Sequence, residues 1–473
     1  MRLLNIRPGK MRARQIAVIL GVALIVTVTG ISTLYLQRRG FDASSGFFMG
    51  TIPKGHVALP NGPAHSVVFL FSANGGWSDA EQSLSDRLVA QNAAVIGVDV
   101  PQYLTNLAHK TEDCHYLISD IESLSHQIQR STGSTSYEAP ILAGAGVGGG
   151  LALDLVTQTP DATIGQTVVA DPTTSIPFDR ELCTGATHTR AQDGEVYTLP
   201  VGSLSDPVTV ILSPAANDRT RARSIAFAAQ SSDVTIDETK GSAQDQLANV
   251  LIAKVQALQT VSDQLPVVVL ATHPTRDTMA IILSGDGGWR DLDKTIGDIF
   301  QKTGVPTVGL DSLRYFWAKR TPQDLARDIT KIVKKYSTQW GTADVMLIGY
   351  SFGADVLPEA WLALDPATKA QIKQISLLGV SSSADWEITV SGWLVGPSTN
   401  ARPTGPALQK MPGALLQCVY GVEEKDSPCP GLAASGSQVI GTQGGHHFDG
   451  NYVAIAKDIV DGLDQRRATG DKK

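Results

Sequence analysis

Short apolar, β-branched-rich runs recur along the chain, each followed by a glycine-rich turn and an amphipathic stretch of helical spacing. Val67–Phe71 leads into the turn Ser72–Trp77, a helix-like stretch, and a second apolar run that closes on Asp99. Met279–Leu283 leads into Ser284–Trp289, another helix-like stretch, and an apolar run that closes on Asp311. Strand, turn, helix and strand in that order predict βαβ units of a parallel sheet, and so an α/β fold.

The two units are copies. Ser72–Asp99 and Ser284–Asp311 align without gaps with eight identities over 28 residues, including Gly-Gly-Trp and the closing Gly-x-Asp. Further on, Pro140–Asp154 resembles Asp344–Pro358, with Gly144 aligned with Gly349. Internal repetition on this scale predicts tandem domains, placed at 61–262 and 266–473. A Gly-, Ser- and Pro-bearing linker, 37–60, precedes them.

Before the linker, Arg2, Arg7, Lys10, Arg12 and Arg14 stand ahead of an uncharged run from Gln15 to Gln37, which Arg38 and Arg39 close. That run is long enough to cross a bilayer, and the basic excess before it sets the orientation. The expectation is a cytoplasmic segment 1–15, a transmembrane signal anchor 16–36, and an exported, periplasmic body held at the inner membrane. A cleaved signal peptide, releasing the body, is the alternative.

A chain of 473 residues with 42% hydrophobic and 18% charged residues and net charge −7 is a globular protein with no concentrated basic surface outside its N-terminus. Nucleic acid is therefore not an expected partner. The four cysteines fall two per half, Cys114 with Cys183 and Cys418 with Cys429, and in an exported chain they predict one disulfide in each half. No Cys-x-x-Cys or His/Cys cluster points to a metal, and no cofactor is expected.

The chemistry lies in the second half. The buried-strand run Val345–Ile348 enters Gly349-Tyr350-Ser351-Phe352-Gly353, followed by a helical stretch to about Leu364. A Gly-x-Ser-x-Gly between strand and helix is the nucleophile elbow of the α/β-hydrolases, although a plain glycine turn has the same letters. It presents the Ser351 hydroxyl at a helix N-terminus, with the backbone N–H of Phe352 placed to receive an oxyanion. The histidines of this half are His273, before the first strand of the domain, and His446 and His447 in Gly444-Gly445-His446-His447, just before a terminal helix. The order Ser, acid, His makes that loop the source of the base, His446 ahead of His447. For the acid, spacing from Gly421 favours Glu424 and residue type favours Asp426. The loop Ser284-Gly285-Asp286-Gly287-Gly288-Trp289 is the candidate second oxyanion element, through Asp286 and Gly287, while Trp289 reads equally well as a core anchor. In the first half Gly146 stands where Ser351 stands, and no histidine occurs between His188 and His273, so that copy is expected to be non-catalytic.

Taken together, Gly-Asp-Gly-Gly-Trp, Asp311–Trp317 (DSLRYFW), Arg320–Asp328 (RTPQDLARD), GYSFGAD and the two loops Cys418–Cys429 and Gly444–Gly450 resemble the VirJ/AcvB family of bacterial virulence proteins. The resemblance implies tandem α/β-hydrolase-like domains and a periplasmic serine esterase that hydrolyses lysyl-phosphatidylglycerol to lysine and phosphatidylglycerol. It further implies an aminoacylated phospholipid as substrate and secretion-system proteins as possible partners; a scaffold that assists type IV secretion is the competing reading. Asp286, Asp311 and Asp355 are candidates to receive the lysyl ammonium groups, each with helix capping or turn formation as the alternative.

Overall fold

The computed structural model describes residues 44–258, 265–389 and 398–470. The expected cytoplasmic segment and membrane span, 1–15 and 16–36, lie outside them; among the described residues no helix is long and apolar enough to cross a membrane.

The first half contributes strands β1 (Val57–Ala58), β2 (Ser66–Phe71), β3 (Ala93–Val98), β4 (Ile141–Ala145) and β5 (Gln166–Ala170). A hairpin, β6 (His188–Ala191) and β7 (Gly194–Tyr197), is inserted before β8 (Val208–Leu212) and β9 (Val234–Glu238). The second half adds β10 (Val267–Leu270), β11 (Thr278–Leu283), β12 (Thr307–Leu310), β13 (Asp344–Tyr350) and β14 (Ile372–Leu378). A short pair, β15 (Ser383–Ala384) with β16 (Arg402–Pro403), comes before β17 (Leu416–Gly421) and β18 (Gln438–Thr442).

Each half forms a seven-stranded sheet of the same order, β1-β3-β2-β4-β5-β8-β9 and β10-β12-β11-β13-β14-β17-β18. In each, the first strand, β1 or β10, pairs antiparallel and all other neighbours, including the opposite edge β9 or β18, pair parallel. The strands read as continuous apolar runs because helices cover both faces of each sheet. Along β2, Val67, Phe69 and Phe71 enter one core while Val68 and Leu70 enter the other. Along β11, Met279, Ile281 and Leu283 alternate in the same way with Ala280 and Ile282.

The repeated Gly-Gly-Trp and Gly-x-Asp act together. Trp289 lies on Gly309 and Trp77 on Gly97, where a Cβ would collide with the indole. The Asp that follows then ties the turn to the next helix. Asp99 accepts from the Trp77 amide at 2.9 Å and the Gln102 amide at 3.0 Å; Asp311 caps Ser312–Tyr315 through the Arg314 amide at 3.0 Å. Trp289 is thus a core anchor, 5% exposed.

The stretch read as a linker, 37–60, is not one throughout. From Ser44 onward it belongs to the first domain, with Met49, Ile52 and Val57 buried in that core and the Thr51 amide bonded to Asp120 at 2.7 Å. A tether reading follows from Gly, Ser and Pro content, but the apolar residues between them have a sheet to cover.

The two halves meet along the helix Ile118–Ser131 and the loop after it. Tyr137 is buried in the second domain's core. The Trp317 indole donates to the Ser134 carbonyl at 3.0 Å, and the Arg130 guanidinium lies 3.8 Å from the centre of the Trp317 ring. Arg314 pairs with Glu138, and Arg290 with Glu122 at 3.0 Å. Much of DSLRYFW is therefore interface and core. RTPQDLARD starts the helix Pro322–Trp340 with a Thr321/Asp324 capping box and supplies Asp328 to the Tyr315 hydroxyl at 2.8 Å.

Candidate active site

Strand β13 lies inside the second sheet, between β11 and β14, and its last residue hands the chain to Ser351. Ser351 has φ 52° and ψ −120°, a conformation that non-glycine residues adopt only under strain, and the helix Phe352–Ala363 starts at once after it. The turn closes because Gly349 and Gly353 have no side chains: a Cβ on Gly349 would strike the Gly353 backbone, and one on Gly353 the Leu283 carbonyl. The first domain has the same turn, with Gly146 at φ 56°.

His446 Nε2 lies 2.8 Å from Ser351 Oγ, so the hydroxyl donates to the ring, and His446 Nδ1 donates to Glu424 Oε1 at 2.5 Å. The second Glu424 oxygen accepts the Gly421 amide at 3.0 Å, which folds the side chain back over the end of β17. The Gly444 and Gly445 carbonyls lie against Gly421, where a Cβ would collide with them, so the missing side chain of Gly421 lets the His446 loop pack against the end of the acid's strand. Gly379, at φ 62°, leaves the space occupied by the His446 ring. Cys418 and Cys429 are bonded, bracketing the Glu424 loop, and Cys114 is bonded to Cys183.

The electrostatics suit a base. The Glu424 hydrogen bond raises His446 above its ordinary value against the opposing effect of burial, and Asp355 and Asp286 add to the rise. Burial alone would raise Glu424, yet the bonds from His446 and the Gly421 amide outweigh it and hold the carboxyl below its usual range. Asp355, four residues beyond Ser351, accepts the Ser381 amide at 2.6 Å, and burial pushes its pKa up to about 7.

Other candidates fall elsewhere. Asp426 is exposed and makes no bond to His446; the chain turns back at Glu424 and carries Asp426 outward. His447 is exposed, with Nδ1 3.1 Å from the Tyr350 hydroxyl. Asp311 is buried with its carboxylate engaged by backbone amides, which leaves it no role toward a ligand in this arrangement. Asp286 remains partly exposed, near enough to act on His446 and Asp355. Gly287 is turned against Arg290; in that loop it is Gly285 that approaches Ser351, a Cβ there lying 3.6 Å from the serine Cβ.

Two further residues at the site are not among the sequence candidates. The Tyr350 hydroxyl lies 3.4 Å from the His446 carbonyl. Asp293, fully buried, accepts the Gly285 amide at 3.3 Å and is raised well above its ordinary value by desolvation. Its counterpart in the first domain, Glu81, accepts the Ala73 amide at 3.3 Å. An acid at the same place in both copies was the available clue.

A mostly parallel sheet that ends a central strand in a strained serine, and brings histidine and carboxylate from the loops after its last two strands, defines an α/β-hydrolase-type domain. Residues 277–467 match the family described as "Bacterial virulence protein (VirJ)". No curated protein sequence matches the chain. Similar solved structures include Est1E from Butyrivibrio proteoclasticus, at 13% identity over 43% of this chain and 93% of that one, TM-score 0.31. Others are a proline iminopeptidase from Mycobacterium smegmatis (13%, 42% and 94%, TM-score 0.30) and a monoacylglycerol lipase from Paleococcus ferrophilus (14%, 43% and 98%, TM-score 0.27).

Proposed function

We propose that the second domain is a serine ester hydrolase acting on an acyl group that carries ammonium charge, as in lysyl-phosphatidylglycerol. The observation that carries this reading is the unbroken chain Glu424–His446–Ser351, with Asp286 and Asp355 both acting on its histidine as negative groups. The first half supports an enzyme over a scaffold, since its own elbow has only Gly146 where the second keeps Ser351. The aminoacyl-phospholipid identity follows from the VirJ/AcvB resemblance.

In this mechanism Ser351 Oγ attacks the ester carbonyl while its proton passes to His446 Nε2. Glu424 fixes the Nδ1–H tautomer and stabilises the imidazolium. The Phe352 amide and the Gly285–Gly288 turn face the developing oxyanion. His446 then protonates the departing glycerol oxygen, phosphatidylglycerol leaves, and water, deprotonated by His446, releases lysine from the acyl-serine. A signal anchor at 16–36 would hold the domain beside its lipid on the periplasmic side, and both disulfides suit an oxidising compartment.

The test is release of lysine from lysyl-phosphatidylglycerol vesicles by the purified protein, with loss on Ser351→Ala. In cells, deletion should accumulate the lipid on thin-layer chromatography and Ser351→Ala should fail to complement. Unchanged lipid in the deletion strain rejects the substrate, and full complementation by Ser351→Ala rejects the catalytic assignment. Asp286→Asn should raise KM for a lysyl ester more than for a neutral aminoacyl ester.

A further inference from the structure

We infer that the first domain is a binding site for a zwitterionic acyl amphiphile, held without cleavage in the cavity that stands where the second domain has Ser351. The cavity measures about 860 Å³, within the range of roughly 300–1,000 Å³ usual for small-molecule sites. It opens at the carboxyl ends of the parallel strands: Asn74 follows β2, Val100 follows β3, Val147 follows β4, Thr174 follows β5 and Arg219 follows β8. That crevice is where open α/β sheets take ligands. Asn74 and Val147 are the counterparts of Asp286 and Phe352, so the cavity is the first copy's version of the Ser351 site.

The site is built to hold rather than to react. Gly146 keeps the elbow conformation with no nucleophile. The Val147 amide, equivalent to the oxyanion donor Phe352, already donates to Asn74 Oδ1 at 3.1 Å. The cavity is also held open. Asp193, at the turn between β6 and β7, lines it, and that hairpin is bonded to the chain at Ile176 through Glu195 at 2.8 and 3.0 Å. Arg223 fixes the hairpin's far end, donating to Asp154 at 2.7 Å and the Tyr197 carbonyl at 2.8 Å. The Cys114–Cys183 disulfide anchors the segment that leads into it.

Pro101, Leu104, Val147 and Pro177 give the cavity an apolar side suited to acyl carbons. At its rim stand Arg219, Asp218 and Asp193, none with an ion-pair partner among the described residues. One guanidinium and two carboxylates left unpaired match a head carrying both signs. A purely anionic head would meet more repulsion than attraction.

The test titrates the full chain carrying Ser351→Ala with dihexanoylphosphatidylethanolamine below its micelle concentration, by calorimetry, against dihexanoylphosphatidylglycerol. Saturable binding of the zwitterion, tighter than of the anion, is expected. Leu104→Trp, which fills the apolar side, and Arg219→Glu, on an exposed position, should each weaken it at least tenfold. The same two substitutions with Ser351 intact should leave hydrolysis of a soluble p-nitrophenyl ester unchanged. Absence of saturable binding, equal affinity in both variants, or preference for the anion overturns the inference. Failure of ester hydrolysis in the unsubstituted chain would bear only on the function proposed for Ser351.

Discussion

The indole of Trp289 lies against the backbone of Gly309, on the neighbouring strand, with no room between them for a methyl group. The contact fixes the turn that leads to the candidate oxyanion element, since Gly285 to Trp289 is one continuous loop from β11. Gly309→Ala should therefore destabilise the second domain by about 1–3 kcal/mol, the usual range for an overfilled core. In a Trp289→Leu background the same substitution should be nearly neutral, because the colliding ring is gone. Urea midpoints of the four chains measure the coupling, and additive losses would show that the two residues do not share that space.

Ser351 is held at φ 52° by the chain on both sides of it, and Gly146 shows that the same turn suits glycine. Ser351→Gly should relieve the strain that Ser351→Ala retains. We expect the glycine variant to be more stable than the alanine variant by about 1–2 kcal/mol, with both inactive on esters. Differential scanning of the two variants reads this directly; equal midpoints would mean that the elbow is unstrained.

How much of this was legible in the chain follows from where the physical constraint lies. The elbow shows in sequence because a tight turn excludes side chains at Gly349 and Gly353, leaving a spaced signature around Ser351. The domain repeat shows because Trp and Gly must change together. The choice between Glu424 and Asp426 does not, since it depends on the Gly421 amide folding one side chain back. Asp311 and Asp286 look alike as letters, and burial alone makes one a cap and leaves the other near the site. The Arg290–Glu122 pair joins residues from different domains with no shared pattern, and nothing local predicts it.

The Cys418–Cys429 bridge closes a short loop around the residue that orients His446. Its removal by Cys418→Ala with Cys429→Ala should lower stability by about 2–3 kcal/mol. Activity should fall further than the folded fraction accounts for, because Glu424 loses a fixed path. Denaturation and initial rates measured together separate the effects, and a rate that tracks the folded fraction would remove the loop from the argument.

The pH profile tests the relay most directly. His446 must be neutral to take the serine proton, and its hydrogen bond to Glu424 raises its pKa. Activity should therefore rise with pH through a value above 6.5, the ordinary histidine pKa. Glu424→Gln removes the carboxylate, whose hydrogen bond is the largest cause of that rise and whose charge adds to it, so the acidic limb of kcat/KM should move to lower pH. At the same time kcat should fall by about 10²–10⁴-fold, as the imidazolium loses its counter-charge and the ring its fixed tautomer. Asp426→Asn, at an exposed residue with no bond to the ring, should leave both the limb and kcat in place. A limb that stays put in Glu424→Gln, or moves in Asp426→Asn, would give the orienting role to another carboxylate. Asp355 would then be next in line, since it acts on His446 from a buried position near Ser351.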